Sequence, residues 1–143
     1  MKIVKIKVLH PDASIPKYGS VGAACFDLMA ISSKVVEEAG FGYIEYDFGL
    51  AFEIPEGYVG LIYPRSSISK TGMILSNSVG VVDSDYRGSV TARFKYIKDT
   101  VIYNPGERVA QMMIVPVNQV TFEVVKELSN TERNEGSYGS TGA

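Results

Sequence analysis

Between Asn77 and Val90 the chain reads Asn-Ser-Val-Gly-Val-Val-Asp-Ser-Asp-Tyr-Arg-Gly-Ser-Val, unusually rich in polar groups for so short a span. Val79, Val81 and Val82 favour a strand, Asp83-Ser84-Asp85 is turn chemistry, and Tyr86 to Phe94 returns to strand-like composition. The pattern predicts a β-hairpin with two carboxylates, a tyrosine and an arginine at its tip. A hairpin kept for structure alone needs none of these. The set suits a charged or nucleotide-like ligand.

Other chemistry-bearing residues stand where burial makes them expensive. Asp27 interrupts the apolar run Ala23 to Ala30, and Arg108 and Gln111 are the polar members of the run Arg108 to Val117. Such groups need partners or a wet cleft. Asp27 capping backbone amides, Arg108 in an edge ion pair and Gln111 in a core hydrogen bond fit the residue types equally. Pro64 to Gly72 places Arg65, Ser66, Ser67, Lys70 and Thr71 directly after the buried-looking strand Tyr58 to Tyr63. Cations, hydroxyls and free amides at a strand end can hold an anion, though a polar surface loop has the same composition. No GxxxxGK[ST] pattern is present, so this is not a P-loop. The tail combines Arg133, Tyr138, Ser140 and Thr141, a cation, a ring and hydroxyls that suit closure over a nucleotide or simply a solvated end.

The elements that must position these groups are strands. Lys2 to Leu9 alternates as a half-buried strand, Tyr43 to Phe52, Tyr58 to Tyr63, Ser89 to Tyr96 and Arg108 to Val117 read as further strands, and Thr121 to Leu128 as a last one. Pro64 to Gly72 is predicted as a turn or one or two helical turns. Eight to ten short strands without a convincing helix make the chain all-β. A length of 143 residues, 45% hydrophobic and 21% charged, fits one globular domain. The net charge of −2 argues against a general nucleic-acid binder. No apolar run approaches membrane-spanning length, and the single Cys25 cannot form an intramolecular disulfide, which suits a cytoplasmic setting, a host's if the source is viral.

Five pieces stand in order: Ala24-Cys25-Phe26-Asp27-Leu28; Pro64-Arg65-Ser66-Ser67; Gly80-Val81-Val82-Asp83-Ser84-Asp85-Tyr86-Arg87-Gly88; Gly106-Glu107-Arg108-Val109-Ala110-Gln111; and Arg133 through Gly142. Together they resemble the trimeric deoxyuridine triphosphatase (dUTPase) family. The resemblance implies a distorted antiparallel jelly-roll over residues 1–128, a flexible arm over 129–143, and a homotrimer sharing its active sites. It implies Mg²⁺-assisted hydrolysis of dUTP to dUMP and pyrophosphate. By the same resemblance Asp83 activates the attacking water, Tyr86 packs under the deoxyribose, and Asn77, Gly80, Val81, Val82 and Thr91 read the base. Arg65, Ser66 and Ser67 match the phosphate-binding loop, Ser66 lying near the bond that breaks. Arg108 and Gln111 match the phosphate-contacting strand, and Asp27 the carboxylate that holds the metal through water. Arg133, Tyr138, Gly139, Ser140 and Thr141 match the arm that closes from a neighbouring subunit.

Departures are few. Cys25 and Ser67 stand where the family's first two motifs usually or often have glycine, Asn134 and Ser137 replace arm glycines, and Tyr138 replaces a phenylalanine. The lost glycines are expected to stiffen the arm. Related dCTP deaminases share the resemblance in fold, but the position of Asp83 matches the water-activating carboxylate of dUTPases. A regulatory module that binds nucleotide and a protein partner is the reading from another class.

Overall fold

The computed structural model describes residues 2–38 and 41–137. Ten strands run β1 (Lys5–Val8), β2 (Phe26–Met29), β3 (Ser32–Glu38), β4 (Phe41–Asp47), β5 (Leu50–Glu53), β6 (Tyr58–Pro64), β7 (Met73–Leu75), β8 (Gly80–Val82), β9 (Thr91–Tyr96) and β10 (Arg108–Pro116). The only helical element among the described residues is a 3₁₀ turn, Ser66–Lys70. All strand pairings are antiparallel, in a ribbon β1-β5 and two four-stranded sheets, β2-β10-β6-β8 and β3-β4-β9-β7. Both large sheets turn alternate residues into one core. Leu28, Ile62 and Met112 enter it from the first sheet, and Ile44, Tyr46 and Phe94 from the second. The architecture is a distorted antiparallel jelly-roll, the fold expected from the sequence. Among the described residues no helix is long and apolar enough to cross a membrane.

Several local expectations need correction. The Asn77–Val90 stretch is not a hairpin. β8 pairs with β6, whereas β9 pairs with β4 and β7, so residues 83–90 carry the chain from one sheet to the other. The valine-rich composition signalled strands correctly but could not say which partner each would find. Strand-like composition from Tyr86 also begins too early, because β9 starts at Thr91. Tyr43 to Phe52 is two strands, broken at Phe48-Gly49, where Gly49 has φ of 63° and its amide bonds Asp47 Oδ1 at 2.8 Å. A side chain at Gly49 would meet Ile31 and His10, so the turn needs glycine on both grounds. Thr121–Leu128 forms no strand. Phe122, Val124 and Leu128 are 90%, 99% and 86% exposed, so its apolar side chains find no partner among the described residues.

Candidate active site

Register brings the first group of polar residues together. Gln111 on β10 lies directly opposite Asp27 on β2 and Tyr63 on β6. Arg65 follows the last residue of β6, and Arg108 opens β10 beside a register shift before Ala110. Three neighbouring strands therefore deliver one carboxylate, two guanidiniums and an amide to one end of the sheet. Arg65 Nε donates to Asp27 Oδ1 at 2.7 Å and Arg108 Nη1 to Asp27 Oδ2 at 3.1 Å. Arg65 Nη1 also donates to the Arg108 carbonyl at 3.2 Å, and Gln111 Nε2 donates to the Pro64 carbonyl at 2.9 Å. Asp27 thus sits between two cations that would otherwise repel, and the trio keeps a net positive charge. Several N–H donors of each guanidinium remain for an incoming anion. Cys25 precedes Asp27 by two residues, and its thiol pKa is raised by burial and secondarily by the Asp27 charge.

The 3₁₀ turn begins immediately after Arg65. Its residues are short and polar, none is buried, and Arg65 at its N-cap makes no side-chain cap. Ser66 is exposed and Ser69 Oγ donates to its carbonyl at 2.9 Å. Ser67 Oγ shares a hydrogen bond of 2.8 Å with the Tyr103 hydroxyl.

A second group lies elsewhere. Asn77, Gly80 and Thr91 line a cleft of about 370 Å³ together with Ser76, Ile62 and Arg93. Gly80 pairs with Ile62, and a Cβ on it would stand 3.0 Å from the Ile62 Cβ, so a larger residue would push β8 off β6. Val82 is buried in the core and can meet a ligand only through its backbone, while Val81 is 61% exposed on the edge strand. Asp83 and Tyr86 follow β8, both exposed. The Tyr86 hydroxyl donates to the Ser89 carbonyl at 3.1 Å, and Ser89 Oγ donates to Asp47 Oδ1 at 2.7 Å, tying the crossing loop to the end of β4. Arg87 donates to the carbonyls of Ser84 and Tyr86. It braces its own loop.

The two groups meet along β6: Arg65 follows its last residue, while Ile62, three positions earlier, pairs with Gly80 of β8 and lines the cleft, to which Thr91 and Arg93 come from β9 of the other sheet. Arg133 joins neither group; its Nε donates to the Gly136 carbonyl at 2.9 Å within a small turn. In that turn Asn134 has φ of 42°, and its side chain accepts from the Thr131 amide at 2.8 Å. Asparagine tolerates the left-handed region, so it keeps the conformation a glycine would take there. Tyr138, Gly139, Ser140 and Thr141 lie outside the described residues.

The sequence reading missed Ser76 and Arg93 at the cleft and Tyr103 at the serine turn. Arg93 alternates with Thr91 along β9, a signal that periodicity could have supplied. Nothing local to Tyr103 announces that its ring reaches Ser67.

Comparison with known proteins decides the family. The dUTPase family model matches residues 11–142. A deoxyuridine 5'-triphosphate nucleotidohydrolase of Hydrogenobaculum sp. is 43% identical, with 99% of each chain covered. The chain belongs to the dUTPase family. Among solved structures, a Staphylococcus bacteriophage 80alpha dUTPase with dUpNHpp is 27% identical, with all of both chains covered and a TM-score of 0.83. A phage phi11 dUTPase from S. aureus, described with a structural Mg(II) ion, shares the fold at 23% identity and a TM-score of 0.73, covering 88% of this chain and 98% of its own.

Proposed function

We propose that this dUTPase-family chain hydrolyses dUTP to dUMP and pyrophosphate, thereby limiting uracil incorporation into DNA and supplying dUMP. The observation that carries the reading is one fold holding a small base-sized cleft at Asn77, Gly80 and Thr91 and a separate cation cluster at Arg65 and Arg108. Base recognition and triphosphate neutralisation need different surroundings, and this chain has both.

The family reading implies a homotrimer in which each site is shared between subunits. The exposed apolar side chains of Phe122, Val124 and Leu128 are also what a chain that buries its C-terminal segment against a neighbour would carry. Residues 129–143 would form the arm that closes over the substrate, with Arg133 on a phosphate and Tyr138 stacked on the base.

Asp83 would orient a water and accept its proton as it attacks the α-phosphorus. Arg65, Arg108, Gln111 and the hydroxyls of Ser66 and Ser67 would bind the phosphates and the charge that develops on them. The backbone of Gly80 to Val82 with Asn77 and Thr91 would read uracil, and Tyr86 would stack against the sugar where a 2′-hydroxyl has no room.

The donor set fits magnesium only as an outer-sphere partner. Among the described residues no three His, Cys, Asp or Glu side chains gather, and Asp27 is a lone carboxylate already engaged by two guanidiniums. Asp27 would hold such a hard cation through water rather than as a direct ligand. Bound there, it would add neutralisation of the phosphate charge.

Pyrophosphate release from dUTP, dCTP, dTTP and UTP tests the reading, with turnover expected on dUTP alone. Ammonia release from dCTP would move the chain to deaminase chemistry. Asp83→Asn should retain dUTP binding and lose turnover by roughly 10²-fold or more, as removal of a general base does. Near-normal kcat in that variant would remove Asp83 from its role.

A further inference from the structure

The serine turn is held to the core by the partly buried Ile68 and internally by bonds such as Ser69 Oγ to the Ser66 carbonyl, but no residue of Ser66–Lys70 is fully buried and its N-cap is not side-chain capped. Two further tethers join it to the connection between β9 and β10. At its far end the Gly72 amide donates to Thr100 Oγ1 at 2.5 Å, and the Ile97 amide donates to the Gly72 carbonyl at 2.9 Å. At its near end the tether is the Ser67–Tyr103 hydroxyl pair, 2.8 Å apart.

Tyr103 is itself anchored. Its ring packs on the hydrophobic core, and its carbonyl accepts from the Tyr46 hydroxyl at 2.9 Å. Tyr46 is fully buried, so the line Tyr46 to Tyr103 to Ser67 runs from the core to the turn. We infer that Tyr103 is a positioning residue for the phosphate-binding turn, fixing the Ser67 hydroxyl as a donor toward a bound polyphosphate. The inference rests on the dUTP reading for its substrate, but its geometry asks only for an anion at the turn.

The chemistry follows from the hydroxyl pair. A serine hydroxyl has one donor and two acceptor sites. With the Tyr103 O–H donating into Ser67 Oγ, the serine proton is free to point at an anion rather than back into the protein. Holding the rotor in advance also lowers the ordering cost of binding. This arrangement accounts for a serine at a position where the resemblance expects glycine: Ser67 adds an anion donor, and Tyr103 aims it.

The test is a cycle of Tyr103→Phe, Ser67→Gly and the double variant, titrated with inorganic pyrophosphate by calorimetry and assayed with dUTP and with deoxyuridine binding. Tyr103→Phe keeps the ring and the carbonyl that Tyr46 uses, so the fold is retained and its melting temperature reports that directly. Each single variant is expected to weaken pyrophosphate binding about 5-fold, the worth of one hydrogen bond, with the double no weaker than either. KM for dUTP should rise by a similar factor, and deoxyuridine affinity should stay unchanged because it lacks phosphates. Wild-type affinity for pyrophosphate in Tyr103→Phe, effects that multiply in the double variant, or no pyrophosphate binding by the wild type would each overturn the inference. A wild type that shows the expected pyrophosphate cycle but does not hydrolyse dUTP would leave the brace standing and remove the proposed substrate.

Discussion

Arg65 and Asp27, 38 residues apart in sequence, meet at 2.7 Å with side chains 24% and 25% exposed. The second Asp27 oxygen takes Arg108 at 3.1 Å. Asp27 is therefore first a device that holds two cations in place, and the metal-water role proposed for it would come in addition. Removing it should free both guanidiniums and restore their mutual repulsion. Asp27→Asn is expected to raise KM for dUTP by on the order of 10-fold, the scale of one charge-assisted hydrogen bond, with a smaller loss of stability because the pair is partly solvated. If Asp27 acted only through magnesium, excess Mg²⁺ would restore KM in the variant. The cation-holding role predicts that it does not.

Gly88 makes room for Tyr86. A Cβ at Gly88 would stand 2.6 Å from Tyr86 Cζ and closer still to the hydroxyl, far inside contact distance. Gly88→Ala should swing the ring off the Ser89 carbonyl while leaving the sheets intact. The expected outcome is a loss of roughly tenfold in the preference of kcat/KM for dUTP over UTP, the scale of one misfitted contact. Unchanged preference would mean that some other group reads the sugar.

The arm is tested by deletion after Glu132. The described part of the arm bonds only to itself, through Arg133 to Gly136 and Asn134 to Thr131, so the β-sheets should survive its loss. Secondary structure and melting temperature are expected to stay near those of the full chain while kcat/KM on dUTP falls by at least tenfold. Normal turnover in the truncated chain would take Arg133 and Tyr138 out of the site.

Much of this was legible in residue types and spacing, and the limits have physical causes. Apolar runs located β6 and β10, and alternation located β9, each to within two residues, because a buried strand or strand face writes its pattern into the chain. The polar intruders Asp27, Arg108 and Gln111 were legible as groups needing partners, and two of the structural readings hold: Arg108 is in an ion pair and Gln111 bonds a backbone carbonyl. Asp27 is not a backbone cap. Pairing was not legible. Val81-Val82 and Thr91 look like two arms of a hairpin, yet they join different sheets, since nothing local distinguishes a tight turn from a crossing loop of similar polarity. The strand-like composition of Thr121–Leu128 misled for a related reason. Its apolar side chains are real, but among the described residues no strand lies beside it. Tyr103 was invisible because its importance comes from a side chain 36 positions away.

The buried Tyr46 hydroxyl sets an alkaline limit on the fold. Burial pushes its pKa up to about 12 from an ordinary value near 10, outweighing the opposing effect of its bond to the Tyr103 carbonyl. The neutral phenol is thus favoured in the folded chain relative to the unfolded one. Its stabilising contribution is complete below pH 10 and is lost as pH rises from 10 to about 12. Denaturant melts of the wild type and Tyr46→Phe between pH 8 and pH 12 read this directly. At pH 8 the variant should be less stable by about 1–2 kcal/mol, because the Tyr103 carbonyl loses its buried donor. Above pH 10 the wild type carries a penalty that phenylalanine does not, so the gap should narrow and approach zero near pH 12. Because that donor also anchors Tyr103, Tyr46→Phe should weaken pyrophosphate binding at pH 8 in the same direction as Tyr103→Phe, and by less. A stability gap that is constant across the whole range would mean that Tyr46 titrates as it does in the unfolded chain, and that the core does not exclude its charge.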